Sequence, residues 1–346
     1  MKRTSFLRLL SLLLLSLLLL SLFLLSGCEL LPDGGAKPRE MTERSVWAMD
    51  TRMDLRLYGD AEGACMARLT ELLNGLDREL SATDPDSALS ALNESGRTDN
   101  EKILYLTGRA RELSAMTGGA LDITLLPVSR AWGFTGENKT VPEAAVLEAL
   151  RPRVGMDRVE VTENGVLLAE GTMLDFGALA KGWAAELCRA EMEAAGVSGI
   201  LSLGGNIQTV GTKPDGSDWM IGVQDPDDPG RYVLTLRLTG SKAAVTSGDY
   251  QRYFEQDGVR YCHILDPGTL APVRGSLRAV TVVADEGLTA DGLSTALFVL
   301  GREAGEALRR ELGGFETVWI EDDGTVWVSP GLAERIVEGS YEVIAP

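Results

Sequence analysis

Apolar positions recur at helical spacing in four stretches of the chain. Cys65, Leu69, Leu72, Leu73, Leu76 and Leu80 predict one long amphipathic helix. Ser81-Ala-Thr-Asp-Pro-Asp-Ser87 then breaks it into a turn-rich loop. A second helix is expected over about Glu101–Met116, stopped by Gly118-Gly119. A third carries Leu179, Trp183, Leu187 and Ala190 on one face, and a fourth follows Thr289 with Leu293, Leu297 and Leu300. Between them lie short β-rich runs: Val166–Ala169, Ile200–Leu203, Trp219–Gln224, Tyr232–Leu238 and Ala279–Ala284. Thr317–Ile320 and Thr325–Val328 flank Glu321-Asp-Asp-Gly324, a hairpin signal. Strands come in adjacent groups rather than in strict alternation with helices. That predicts an α+β fold of mostly antiparallel sheets with flanking helices. No repeat and no second linker divides it.

The first residues follow another pattern. Lys2, Arg3 and Arg8 precede a Leu/Ser run from Leu9 to Leu25, closed by Leu25-Ser26-Gly27-Cys28. A basic start, an apolar run and small residues at its end read as a secretory signal over residues 1–27. The order Leu-Ser-Gly-Cys is similar to the lipobox of bacterial lipoproteins, in which the cysteine is lipidated after cleavage; Cys28 is that position. The run also approaches the length of a membrane anchor. Either reading puts the globular part outside the cytoplasmic membrane. Pro32, Gly34, Gly35 and Pro38 mark a flexible tether, taken as residues 28–45, and leave 46–346 as one globular unit.

Charge narrows the partners. The formal net charge is −18, and loss of the three basic residues of the leader takes it to −21. So strong an acidic balance argues against nucleic acid as its main partner. One histidine among 346 residues excludes multi-histidine metal sites. Beyond Cys28 only Cys65, Cys188 and Cys262 remain, too few and too widely spaced for a disulfide framework. Cys65 and Cys188 fall on helical patterns as small buried residues. Neither a Gly-x-Gly-x-x-Gly nor a phosphate-binding Walker loop is present.

Four segments carry candidate chemistry. The histidine lies in Tyr261-Cys-His263-Ile-Leu-Asp-Pro267, shortly after Thr246-Ser-Gly-Asp-Tyr250. Leu174-Asp175-Phe-Gly-Ala-Leu-Ala-Lys181-Gly182 reads as a strand ending in aspartate, a glycine turn and a helix with lysine in its first turn. Such a helix start suits a phosphate, although an ordinary capped helix has the same outline. Asp291 and Thr295 share a helix face in Ala290-Asp-Gly-Leu-Ser-Thr-Ala296. Together they suit Mg²⁺, and an aspartate in a first helical turn is equally good capping chemistry. Gly118-Gly-Ala-Leu-Asp-Ile-Thr124 and Leu203-Gly-Gly-Asn206 place glycines where a backbone can approach a ligand or stop a helix.

Taken in order, these segments resemble the ApbE-type flavin transferases, the FAD:protein FMN transferases. Asp84-Pro-Asp-Ser-Ala-Leu-Ser90 and Ala290–Gly301 extend the resemblance, which covers nearly the whole chain from about Val46. It implies a T-fold-like single catalytic unit. Its chemistry would move the FMN half of FAD to a Thr or Ser hydroxyl of an acceptor flavoprotein, with Mg²⁺ and release of AMP. By the resemblance Asp291, Thr295 and the Ala178 carbonyl hold the metal. Asp175 and Lys181 contact FAD, as do Met49, Thr83, Ala120, Leu121, Asp122 and Leu265. His263 acts as base toward the acceptor hydroxyl, or orients it. An FAD pyrophosphatase using the same site, and a flavin-binding lipoprotein without catalysis, are the competing expectations. Three departures stand out: Leu270 replaces a turn glycine, Thr83 an aromatic ring and Asp50 the glycine of a Met-Gly-Thr. The first is expected to shift the loop beside the site, the second to weaken flavin stacking.

Overall fold

In Ala279–Ala284 every residue is buried, and alternate side chains enter two different cores. Val280, Val282 and Ala284 join a core that also contains helices; Ala279 and Val283 join one made against a second sheet. That strand is therefore the middle of a three-layer α+β fold. A computed structural model describes residues 40–345, and the following statements concern those residues. The signal, Cys28 and most of the tether lie outside them.

The central sheet has nine strands. In spatial order they are β1 (Met41–Ala48), β2 (Thr51–Tyr58), β3 (Ser198–Leu203), β4 (Asn206–Val210), β7 (Lys242–Gly248), β8 (Leu277–Ala284), β9 (Phe315–Glu321), β10 (Val326–Val328) and β12 (Glu342–Val343). All neighbours are antiparallel except β10 and β12. A small antiparallel sheet of β5 (Trp219–Gln224), β6 (Tyr232–Leu238) and β11 (Ile336–Gly339) covers one face. Helices α1 (Ala64–Leu80), α2 (Ala88–Ser95), α3 (Glu101–Met116), α4 (Ala180–Ala194) and α5 (Gly287–Leu312) contribute to the core on the other. The expected α+β class is what is found, and no described helix is long and apolar enough to cross a membrane.

Local chemistry sets the helix starts. Asp60 accepts from Cys65 and Met66 N–H groups at the head of α1 (3.0 and 2.8 Å), Ser87 caps α2, and Asn100 caps α3. Helix α2 follows the predicted loop directly; its eight residues are too few for a clear apolar period. The hairpin of β9 and β10 turns at Gly324 with φ 84°, as Asp323-Gly324 predicts.

Several expectations need correction. Met41–Ser45, read as the end of the tether, pair with Asp54–Tyr58 and belong to β1. They are mostly exposed, so no apolar alternation betrays them. The segment that follows Gly118-Gly119 is a loop over residues 120–124, and Leu125 beyond it forms an isolated bridge with Met173. The segment ahead of Asp175 is likewise that bridge and not a strand. In α4 the buried face is Gly182, Ala185, Cys188 and Met192, with Trp183 and Ala184 alongside, while Ala190 is exposed. Packing against both α1 and α5 turns the helix from the face its large residues suggest.

Leu270 does not displace its turn. It adopts the left-handed conformation itself, φ 58°, with its side chain fully buried against Val128, Trp132 and Leu265. Its N–H bonds the Asp266 carbonyl at 2.8 Å and its carbonyl accepts from Trp132 Nε1 at 2.9 Å. Asp50 behaves similarly: Met49 and Asp50 turn at φ 51° and 55° between β1 and β2.

Candidate active site

Helices α4 and α5 approach at two glycines. A Cβ on Gly182 would lie 2.6 Å from Asp291 Cβ and closer still to the Gly287 carbonyl. One on Gly287 would lie 2.6 Å from the Gly182 carbonyl. Only hydrogen fits at either place. This contact lets the Gly182 N–H donate to Asp291 Oδ2 at 2.8 Å. Gly182 is the third residue of α4, so its N–H is a first-turn donor that no helical carbonyl takes, and Asp291 supplies the acceptor. Leu179 and Ala180 bond Phe176, and Trp183 bonds Leu179. Among the described residues no backbone N–H closes onto Ala178.

Asp291 is 4% exposed. Burial raises its carboxyl pKa; the Lys181 charge, the Gly182 N–H and the Asn206 amide act the other way. Ser294 Oγ donates to the Asp291 carbonyl at 2.8 Å and meets Ser247 Oγ at 2.8 Å. Ser247 Oγ also lies 3.5 Å from Thr295 Oγ1. Strand β7 thus fixes the face of α5 that presents Asp291 and Thr295. No group of three His, Cys, Asp or Glu side chains among the described residues could hold a metal. A cation at Asp291 would therefore depend on neutral oxygens for the rest of its shell.

The Asp175 segment is tied down at each step. Asn93 receives the Leu174 N–H at 2.7 Å and donates to the Leu174 carbonyl at 2.9 Å. Asp175 N–H bonds the Ile123 carbonyl at 2.8 Å, which sets the Ala120–Asp122 loop beside it. Asp175 Oδ1 accepts from Gly177 N–H at 2.8 Å, and buried Phe176 anchors the turn. Lys181 folds back to the Gly177 carbonyl at 3.1 Å. Burial raises the Asp175 carboxyl, opposed by the Gly177 N–H and the nearby Lys181 and Arg252 charges. Asp122 is raised by burial as well, while accepting from Thr124 N–H and Oγ1 at 2.8 and 2.6 Å.

His263 follows the hairpin Tyr253–Gln256/Val259–Cys262. Its N–H bonds the Arg252 carbonyl at 2.9 Å, and its buried Nδ1 has no partner. Part of the residue stays accessible, but dense surroundings desolvate the ring. Desolvation first, then the Arg252 and Lys181 charges, push its pKa down to about 4. The imidazole is neutral at neutral pH and able to accept a proton.

Lys181 is thus the hub, its charge reaching Asp175, Asp291 and His263. Met49 is held from the other side, its N–H on Asp77 Oδ1 at 2.8 Å. Leu265 is buried two residues beyond His263; Ala120 and Leu121 are buried too, Leu121 beside Gly292. Thr83 is exposed, bonds only within its own loop to Ser81, and is not brought onto the other site residues. Asn93, Ser247, Arg252 and Gly287 are the supporting residues that sequence reasoning did not assign. Ser247 lies within the Thr246–Tyr250 segment singled out above, and Gly182, a glycine inside a helical pattern, marks the partner of Gly287.

The model of the ApbE family matches residues 49–319. An FAD:protein FMN transferase of Vibrio cholerae is 33% identical over 291 residues, covering 81% of this chain and 87% of its own length. One of Treponema pallidum is 32% identical over 328 residues, covering 88% and 90%. The chain belongs to the ApbE family. Its architecture agrees with that of other ApbE structures. The crystal structure of the ApbE protein of Thermotoga maritima superposes with a TM-score of 0.82 at 28% identity, covering 86% of this chain and all of that one. The apo flavinyl transferase ApbE of Pseudomonas stutzeri gives 0.78 at 31%, covering 87% and 98%.

Proposed function

We propose that this chain uses the Lys181-centred site to move the FMN half of FAD, with Mg²⁺, onto a Thr or Ser hydroxyl of an acceptor protein, releasing AMP. Membership of the ApbE family makes it a transferase of the FAD:protein FMN class. The observation that carries the finer reading is the junction of α4 and α5. There one buried carboxylate, one hydroxyl on the same helix face and the Ala178 carbonyl, which takes no backbone N–H among the described residues, stand beside a lysine. Those are hard oxygen donors of the kind Mg²⁺ takes. A cation held by Asp291, Thr295 and the Ala178 carbonyl would polarise the pyrophosphate.

The chain's own residues do the rest. Lys181 neutralises charge on the phosphates, and the turn at Asp175 orients the nucleotide. The acceptor hydroxyl attacks the FMN-side phosphorus, a new P–O bond forms, and the bond to the AMP phosphate breaks. Neutral His263 takes or directs the hydroxyl proton. Exposed Thr83 supplies no aromatic face, so flavin stacking there is weak. Lys2, Arg3, Arg8, the Leu/Ser run and Leu25-Ser-Gly-Cys28 support export and lipid anchoring through Cys28, leaving the catalytic unit outside the cytoplasmic membrane.

The test mixes the chain after Cys28 with FAD, Mg²⁺ and an acceptor domain, reading intact mass and AMP. An FMN-sized gain on the acceptor with matching AMP is the expected result. AMP and free FMN without an adduct would make water the nucleophile, and bound FAD with neither product would leave only flavin binding.

A further inference from the structure

We propose that Arg252 is a positioning residue that ties the turn carrying Met49 to the loop carrying His263, so that both sides of the site move together. The proposal rests on the flavin-transfer reading above. Met49 and Asp50 both hold left-handed backbone, φ 51° and 55°, which L-residues rarely keep unless neighbours fix them. Two side chains do so from opposite directions. Asp77 Oδ1 takes the Met49 N–H at 2.8 Å, and Arg252 Nη2 donates to the Asp50 carbonyl at 3.1 Å. The same guanidinium lies 3.8 Å from Asp50 Oδ2. At its other end, Arg252 receives the His263 N–H on its backbone carbonyl at 2.9 Å.

One residue therefore braces two segments more than two hundred positions apart in sequence, by side chain on one and by main chain on the other. Its side chain is 48% exposed, so it is not a core residue whose loss would empty a cavity. Its charge also faces the imidazole. The charged groups around His263 are Arg252 and Lys181, with Asp175 beside both cations and Asp50 on the far side of Arg252. A residue that only supported the fold would leave neither flavin affinity nor the pH response dependent on its charge.

The experiment compares Arg252→Ala and Arg252→Lys with the parental full chain. It measures FAD binding by flavin fluorescence, KM and kcat for transfer, the pH–rate profile and the melting temperature. Arg252→Ala is expected to weaken FAD binding and raise KM roughly tenfold, the scale for losing a charge-assisted hydrogen bond, with a smaller change in kcat. Its acid limb moves to higher pH because one positive charge facing His263 is gone. Arg252→Lys keeps the charge and hence the acid limb, but its point-like ammonium does not reproduce the planar guanidinium that reaches the Asp50 carbonyl, so it retains the affinity defect. Unchanged affinity and an unchanged acid limb in Arg252→Ala would overturn the brace, as would a lowered melting temperature as its only effect. If the alanine variant does not fold, Arg252→Lys decides alone, and parental affinity in it overturns the proposal. A parental chain that binds FAD without transferring FMN defeats the transferase reading instead, and the brace is then judged on affinity.

Discussion

Gly182→Ala tests whether the contact of α4 and α5 sets the site. The added Cβ would lie 2.6 Å from Asp291 Cβ, where carbon atoms prefer about 3.5–4.0 Å. The nearest obstacle is backbone, the Gly287 carbonyl, so no side chain can simply swing aside. The helices must part by roughly 1 Å, and overpacking of that kind costs about 1–3 kcal/mol. Separation also stretches the 2.8 Å bond from Gly182 N–H to Asp291 Oδ2. In a unit of this size the melting temperature should fall by roughly 2–10 °C. A displacement near 1 Å of a group that positions the reaction costs on the order of 10²-fold in rate, so kcat should fall far more than stability implies. Calorimetry and AMP release measure the two quantities. Gly75→Ala, inside α1 with nothing within 4 Å of its Cβ, serves as the control and should be neutral or stabilising by up to about 1 kcal/mol. A Gly182→Ala protein with parental melting and parental kcat would refute the idea that this contact aligns Asp291.

Asp291→Ala should abolish Mg²⁺-dependent transfer in a protein that still folds, with about 1–3 kcal/mol lost because the Gly182 N–H has no acceptor; titrating Mg²⁺ against AMP release decides. With His263 at about 4 rather than 6.5, transfer should persist through mildly acidic buffers and fall only as pH approaches that value, since the protonated ring cannot accept a proton. A rate profile breaking near 6.5 would contradict the burial argument, and His263→Ala should cost roughly 10²–10⁴-fold. Leu270→Gly relieves a left-handed residue, worth about 1–2 kcal/mol, but empties a fully buried site, worth about 2–5 kcal/mol. Denaturant unfolding should therefore show a net loss near 1–3 kcal/mol. Cys28→Ala should move the protein from the membrane to the soluble fraction without changing turnover of the released chain.

Glycine at φ > 0 is cheap, and two positions show what replaces it. Asp50 and Leu270 each occupy a left-handed turn. Asp is a residue that tolerates the conformation, and Leu270 offsets its strain by burying its whole side chain. From sequence the Leu270 substitution reads as a disturbance of the loop, because the pocket formed by Val128, Trp132 and Leu265 is assembled from distant segments.

The amino-acid sequence by itself determined the long helices, the β9–β10 hairpin and the α+β class, because periodicity and turn chemistry are local. It also marked Asp175, Lys181, His263, Asp291 and Thr295 as chemistry-bearing, through motifs whose order carries information. Tertiary structure alone decided what those residues do for one another. The polar, exposed strand β1 exists because β2 pairs with it, and the buried face of α4 is set by α1 and α5. The Gly182 N–H, a first-turn donor with no helical acceptor, finds one only because Asp291, over a hundred residues later, packs against it. Likewise, His263 is held neutral by burial and by two cations brought from other segments. Each depends on contacts between residues far apart in the chain, and no local pattern encodes such a contact.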